Sequence, residues 1–358
     1  MIYFDNAATT PLCEAAKEVI RQDFGNPSSP HAFGLSAERA VKGAARDLAG
    51  ILSCDSEEIV FTSGGTESNN LGILGAAFAL KASRGRNRTM HILAGIGEHP
   101  SVIEPLKYLD SLPGYSVTFA APAEWEAHIC EDTAMVCVSQ VNSETGDVFG
   151  ERPWGAAPFI VFMDGAQGFC KVPRPEWADI YSFSAHKISG PMGVGGLMVR
   201  KGLRLVPMMY GGGQQGGVRP GTENVPGILA MAAAAREHVQ EDADKIANKI
   251  REIKRILALT IMGEVNSASE ETSPYILNMS FPGVRGETLT SLLSSRGVYV
   301  SQGTACRTAK KESALTAMGF SRERAESAIR LSFSAMNTPE EARKAKEIIE
   351  ESVAELRK

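Results

Sequence analysis

A chain of 358 residues with 43% hydrophobic and 22% charged residues is expected to be a soluble protein of one large domain and a smaller one. Its net charge of −5, with no long Lys/Arg run, argues against a nucleic-acid partner. No apolar run approaches the roughly 20 residues needed to cross a bilayer, and the opening MIYFDNAATT lacks the basic and apolar regions of a secretory signal.

From about residue 36 to 235, short apolar runs alternate with helical patterns. Strands are expected at Glu58–Thr62, His91–Ala94, Ser116–Phe119, Ala134–Ser139, Phe159–Met163, Asp179–Phe183 and Gly196–Val199. Several are continuous apolar runs, which suits strands buried on both faces. Helices fit between them, among them Ala37–Leu52, Thr66–Ala82 and Pro100–Leu109. The alternation predicts an α/β domain with a mostly parallel, seven-stranded sheet and helices on both faces.

Beyond about residue 240 the pattern changes. A charged helix is expected at 240–258, strands at Tyr275–Ser280 and Val298–Ser301, and helices at Arg322–Ala328 and Pro339–Leu356. The last repeats apolar residues on one helical face. We therefore expect a large domain over 14–242 and a small α+β domain from 1–13 and 243–358.

The polar residues cluster after the strands. FTSGGTES, GEHPS, VNSETG, MDGAQ and SFSAHK each follow one, and ligands of open parallel sheets bind at the carboxyl ends of strands. Gly64 and Gly65 lead into a helix start, where bare N–H groups favour a phosphate or a simple cap. Lys187 leaves an apolar strand; a desolvated lysine there is a Schiff-base nucleophile, unless it merely reaches water. Asp164 could hold a pyridinium nitrogen protonated or cap the next helix. Together, Asp164 and Lys187 point to pyridoxal phosphate.

Cys306, in SQGTACRTAKKE, has small, polar and basic neighbours that could favour a thiolate. It could equally be an idle surface thiol. The other five cysteines lack such a context, CxxC pairs or zinc spacing, so no metal is expected and a reduced, cytoplasmic setting is. His99 could stack on a ring and shuttle protons, or be a packed loop histidine. His31 is similar. Arg330 could fork onto a substrate carboxylate or form a structural ion pair.

YFDNAATTP, FGNPSS.H.FG, IVFTSGGTESNN, the EHP loop, VNSETG, DGAQ, SFSAHKISGPMGVGGL, GGGQQGGVRPGTENV, SQGTAC and AIRLSFS occur in this order over nearly the full chain. Together they resemble the NifS/IscS-type cysteine desulfurases, class-V aminotransferase-like enzymes of pyridoxal-phosphate fold type I. The resemblance implies that Lys187 carries the cofactor and moves the Cα proton. Asp164 would pair with the pyridine nitrogen, and Gln167 would bond the ring hydroxyl. His99 would stack on the ring and handle the substrate thiol proton. Gly65, Thr66, Ser184 and His186 would hold the phosphate, and Thr222 would reach the phosphate of the other subunit of a homodimer. Asn142, beside the cofactor, and Arg330 would hold the substrate carboxylate, with His31 also on the substrate side. Cys306 would take sulfur from L-cysteine as a persulfide, release alanine and pass the sulfur to an acceptor protein for iron–sulfur cluster assembly or tRNA/cofactor thiolation.

Some positions depart from that pattern. Met192 and Gly216 stand where lysine and arginine are common, and Pro220 where serine is frequent. The segment after Cys306 is about two residues shorter than in the housekeeping enzymes, which bears on the acceptor served. A selenocysteine lyase, another class-V reaction and a degenerate binding subunit are the competing readings.

Overall fold

The computed structural model describes residues 1–84, 88–152, 154–155, 158–240, 243–267, 269, 271–302 and 314–358. The chain divides into two compact units, one of 1–10, 141–148 and 241–358, the other of 11–140 and 149–240.

The first strand, β1 (Ile2–Tyr3), belongs to the smaller unit. The larger unit then carries β2 (Ile59–Thr62), β3 (Met90–Gly95), β4 (Tyr115–Ala120), β5 (Thr133–Ser139), β6 (Ile160–Asp164), β7 (Ile180–Ser184) and β8 (Gly195–Val199). They form one sheet in the order β2-β8-β7-β6-β5-β3-β4. Pairing is parallel throughout except at β8, which is antiparallel to both β2 and β7. The mostly parallel, seven-stranded sheet is therefore present, with one reversed strand that the sequence pattern did not distinguish. Because β8 reverses between them, β2 runs the same way as β7, and the carboxyl ends of β2, β3, β5, β6 and β7 share one edge.

Side chains of successive strand residues point to opposite faces, and here both faces are apolar. Val136, Val138, Val161 and Met163 pack with α1 (Glu14–Ile20), α2 (Ala32–Leu52) and the helix Val225–Gln240. Met135, Cys137 and Phe162 pack in a second core with α3 (Gly65–Arg84) and α4 (Pro100–Asp110). This two-sided burial is why the central strands read as unbroken apolar runs. α2 begins five residues earlier than its apolar repeat suggests, because His31 Nδ1 caps its first turn by accepting from Gly34 N–H at 3.2 Å. It ends at Ser53, whose φ of 52° closes the last turn.

α3 lies unusually close to the sheet. A Cβ on Gly72 would come within 2.6 Å of Phe162 Cε2 and 3.2 Å of Ile180 Cγ2, so only glycine permits this approach. Three residues before it on the same helical face is Asn69.

In the smaller unit, β1 pairs with β11 (Val298–Tyr299), and β9 (Glu264–Val265), β10 (Ile276–Ser280), β12 (Ser301–Gln302) and β13 (Ala328–Ser332) form a sheet in the order β12-β13-β10-β9. The expected strand Val298–Ser301 is thus two short strands in different sheets. The expected helix Arg322–Ala328 stops at Glu326, and Ala328 opens β13. Its IRLSF run satisfies period 2 better than 3.6, which a window spanning the boundary obscures. The helix Pro339–Leu356 starts at a capping box of Thr338 and Glu341. Segment Val141–Val148 is grouped with this unit; Val141 bridges Val148, and Asp147 bridges Thr272.

Candidate active site

The shared carboxyl edge of the large sheet is where polar groups gather. Asp164, the last residue of β6, is buried. Its Oδ2 accepts from Asn69 Nδ2 at 2.7 Å, and its Oδ1 from Ala166 N–H at 2.9 Å. Ser182 Oγ, on β7, donates to Asn69 Oδ1 at 2.6 Å and lies 3.5 Å from Asp164 Oδ1. These donors fix the carboxylate's orientation at the sheet edge. Gln167, three residues on, is buried in the same loop.

Lys187 ends the short 3-10 turn Ala185–Lys187 that follows β7, and it is half-buried. Its charge acts on its neighbours. Burial, then Lys187 and Lys171, push the His186 imidazole down to about 4, so His186 is neutral at neutral pH. Burial and then Lys187 push the Lys171 amine down to about 7. A concentration of basic groups that holds its own charges down is a place suited to an anion.

The residues fit pyridoxal phosphate. Ser184 Oγ is buried and has no hydrogen-bond partner among the described residues, although such a hydroxyl ordinarily finds one. The N-terminus of α3 lies against it: a Cβ on Gly64 would stand 3.9 Å from Ser184 Oγ, and one on Gly65 3.7 Å from Ser184 Cβ and 3.9 Å from Ala166 Cβ. Gly64 takes φ of 150°, which side chains disfavour. Helix N–H groups, an unsatisfied hydroxyl and the Lys187 amine three residues on make a phosphate cradle. Asp164 supplies the carboxylate for a pyridinium nitrogen and Lys187 the amine.

His99 is the N-cap of α4 and is exposed. Its Nδ1 accepts from Ser101 N–H at 3.1 Å and lies 2.7 Å from Ser101 Oγ. Asn69 Nδ2 donates to that same Oγ at 2.8 Å. A cavity of about 490 Å³ opens between α3 and α4, lined by Thr66, Asn70, His99 and Ser101 among others. Thr66, on its wall, is exposed. Beside His99, Glu98 is buried, and its Oε1 accepts from Ser139 N–H at 3.0 Å.

The remaining expected site residues are carried by other elements. His31 is exposed and spends Nδ1 on the α2 cap. Thr222 is exposed on the loop before the helix Val225–Gln240. Asn142 and Arg330 belong to the smaller unit. Asn142 Oδ1 accepts from Glu144 N–H at 2.9 Å and Thr145 N–H at 3.0 Å, shaping the NSETG turn. Arg330 sits in the middle of β13 and is 7% exposed. It donates to Ser143 O at 2.8 Å and pairs with Glu144 at 3.2 Å and Asp5 at 3.3 Å. The ion-pair alternative for Arg330 is therefore present. Cys306 lies outside the described residues.

Sequence reasoning missed Asn69, Ser101, Ser182 and Glu98. A signal existed for Asn69. It shares the apolar face of α3 with Gly72, Ile73 and Ala76, and a polar residue buried on such a face needs partners.

Comparisons with known proteins agree with this geometry. The aminotransferase class-V family matches residues 2–344. The chain is 33% identical to the cysteine desulfurase IscS of Dictyoglomus turgidum, covering 99% of this chain and 95% of the relative. It is 36% identical to the cysteine desulfurase IscS of Neisseria meningitidis serogroup C, covering 99% and 93%. Among solved structures, a NifS-like protein superposes with a TM-score of 0.88 at 33% identity, over 99% of both chains. The chain thus belongs to the class-V aminotransferase family, among the pyridoxal-phosphate-dependent cysteine desulfurases of the NifS/IscS type.

Proposed function

We propose that this chain takes sulfur from L-cysteine, releases L-alanine, and holds the sulfur as a persulfide on Cys306 for delivery to an acceptor protein. The observation that carries the reading is the pair Asp164 and Lys187 at the ends of neighbouring strands β6 and β7, beside the unsatisfied Ser184 hydroxyl.

Bound pyridoxal phosphate supplies the electron sink that makes bonds at the substrate Cα labile. Lys187 Nζ would anchor it and carry the Cα proton. Asp164 keeps the pyridine nitrogen protonated, and Gln167 bonds the ring hydroxyl. Gly65, Thr66, Ser184 and His186 hold the phosphate. His99 would lie against the cofactor ring and attend the substrate thiol. Asn142 and Arg330 receive the substrate carboxylate, with His31 on the substrate side.

The Cys306 thiolate attacks the substrate sulfur. An S–S bond forms as the Cβ–S bond breaks, the electron pair passes to the carbon side, and protonation there yields alanine. Cys306 is left as the persulfide.

The assembly that suits this reading is a homodimer, with Thr222 facing the partner's phosphate. The acceptor would be a scaffold of iron–sulfur assembly or a thiolation enzyme, and the setting the cytoplasm. No helix among the described residues is long and apolar enough to cross a membrane.

The test is incubation with L-cysteine, with alanine quantified and peptides mapped by mass spectrometry. One alanine per sulfur, with a single added sulfur on the Cys306 peptide, is expected. Alanine without sulfur on Cys306 would reject its role. Turnover of L-selenocysteine alone would make the chain a selenocysteine lyase.

A further inference from the structure

We infer that Asn69 and Ser101 are positioning residues that hold His99 in one tautomer, with Nδ1 as acceptor and the ring proton on Nε2. The inference rests on the reading that His99 attends the cofactor ring and substrate.

The directions of these hydrogen bonds follow from their two ends, the Asp164 carboxylate and the Ser101 backbone N–H that His99 Nδ1 accepts. Asp164 accepts only, so the amide atom of Asn69 that faces its Oδ2 at 2.7 Å is the nitrogen. The opposite side agrees, since Ser182 Oγ donates to Asn69 Oδ1 at 2.6 Å. The remaining N–H of Asn69 goes to Ser101 Oγ at 2.8 Å. Ser101 Oγ is thereby an acceptor from Asn69, and its single proton is left for His99 Nδ1 at 2.7 Å. The same Nδ1 already accepts the Ser101 backbone N–H at 3.1 Å.

Two donors therefore converge on Nδ1, which disfavours a proton there. A neutral ring so held carries its proton on Nε2. So held, His99 Nε2 is a hydrogen-bond donor and not a base. Asn69 couples this to the cofactor site, because one amide group bonds both Asp164 and Ser101. Asn69 and Ser182 are almost wholly inaccessible, at 1% and 0% exposure, so water does not readily replace either partner.

The test is nitrogen NMR of the holoenzyme labelled with 15N-histidine, in the absence of substrate. His99 signals are identified by their loss in His99→Gln. The expected spectrum has unprotonated Nδ1 and protonated Nε2. Ser101→Ala removes one of the two donors and should shift the tautomer ratio about tenfold toward Nδ1–H, the equivalent of one hydrogen bond. Ser101→Thr should restore the wild-type pattern, and turnover should follow, falling about tenfold in Ser101→Ala and recovering in Ser101→Thr. Asn69→Asp loses both donors and faces Asp164 with a second carboxylate, so it should disturb the His99 signals and weaken cofactor retention together.

A wild-type ring protonated at Nδ1, or His99 signals unchanged in both Ser101→Ala and Asn69→Asp, would overturn the inference. The spectra concern the resting protein. Absence of alanine production from L-cysteine with the expected tautomer in place would reject the desulfurase reading while supporting the relay.

Discussion

Glu98 and Ser139 are locked together across the ends of two strands: the Glu98 carboxyl meets both the backbone N–H and the hydroxyl of Ser139 at the end of β5. Burial, reinforced by nearby Asp164 and opposed by the Ser139 hydrogen bonds, raises its pKa to about 8. An unfolded glutamate titrates near 4.5. Between these values the folded state holds a proton that the unfolded state has lost. This contribution to stability is full below about pH 4.5 and is lost as pH rises toward 8. The full span is on the order of 5 kcal/mol.

Glu98→Gln removes that titration and keeps an acceptor for the Ser139 N–H. The melting temperature of the variant relative to wild type should therefore rise steadily from pH 5 to pH 8. A difference that stays flat with pH would show that Glu98 is ionised in the folded protein.

Gly72→Ala tests the close approach of α3. The added methyl would stand 2.6 Å from Phe162 Cε2, and such overpacking costs about 1–3 kcal/mol. The helix must lift, and Asn69 lies on the lifted face. Thermal denaturation should show the loss of stability, and cofactor dissociation should quicken because the Asn69–Asp164 bond lengthens. Normal cofactor retention with reduced stability would confine Gly72 to packing.

The large unit was legible because its strands are buried on both faces. Runs such as AMVCVS and IVFMD can hardly be placed anywhere but in a covered sheet, and the polar loops after them mark its reactive edge. Lys187, Asp164 and Ser184 stand where those loops predicted. What was not legible depends on pairing. The reversal of β8 leaves no trace in composition, and the Asn69–Ser101–His99 connection joins residues from separate elements. The Arg322–Ala328 expectation failed at a boundary, where a short helix and a strand share apolar residues. Cys306 is the reverse case, with a motif clear in sequence but outside the described residues.

Lys187 and Cys306 should separate cofactor binding from sulfur transfer. Lys187→Ala removes the amine, so the absorbance of covalently held pyridoxal phosphate should vanish and turnover fall by several orders of magnitude. Cys306→Ala should keep the absorbance and stop sulfide release from L-cysteine. Absorbance spectroscopy and a sulfide assay on the two variants check this. Undiminished sulfide from Cys306→Ala would remove that thiol from the reaction.

Arg330 poses the sharpest choice between a structural and a substrate role, because its guanidinium already meets Glu144 and Asp5. Two carboxylates around one cation leave a net negative cluster, which opposes a third carboxylate. If Arg330 receives the substrate, Glu144→Gln relieves that opposition and the KM for L-cysteine should fall. Arg330→Lys keeps the charge but loses the planar fork, so KM should rise about tenfold or more while the cofactor absorbance persists. If Arg330 only anchors β13 to the NSETG turn, both changes disturb the same ion pair and act alike. Glu144→Gln removes one partner of a buried pair, at up to about 3–5 kcal/mol, and Arg330→Lys loses the fork that meets Glu144 and Asp5 together, so both variants would then lose stability without opposite shifts in KM. Steady-state kinetics and melting temperatures on the two variants distinguish these outcomes, since only a substrate role moves KM in opposite directions.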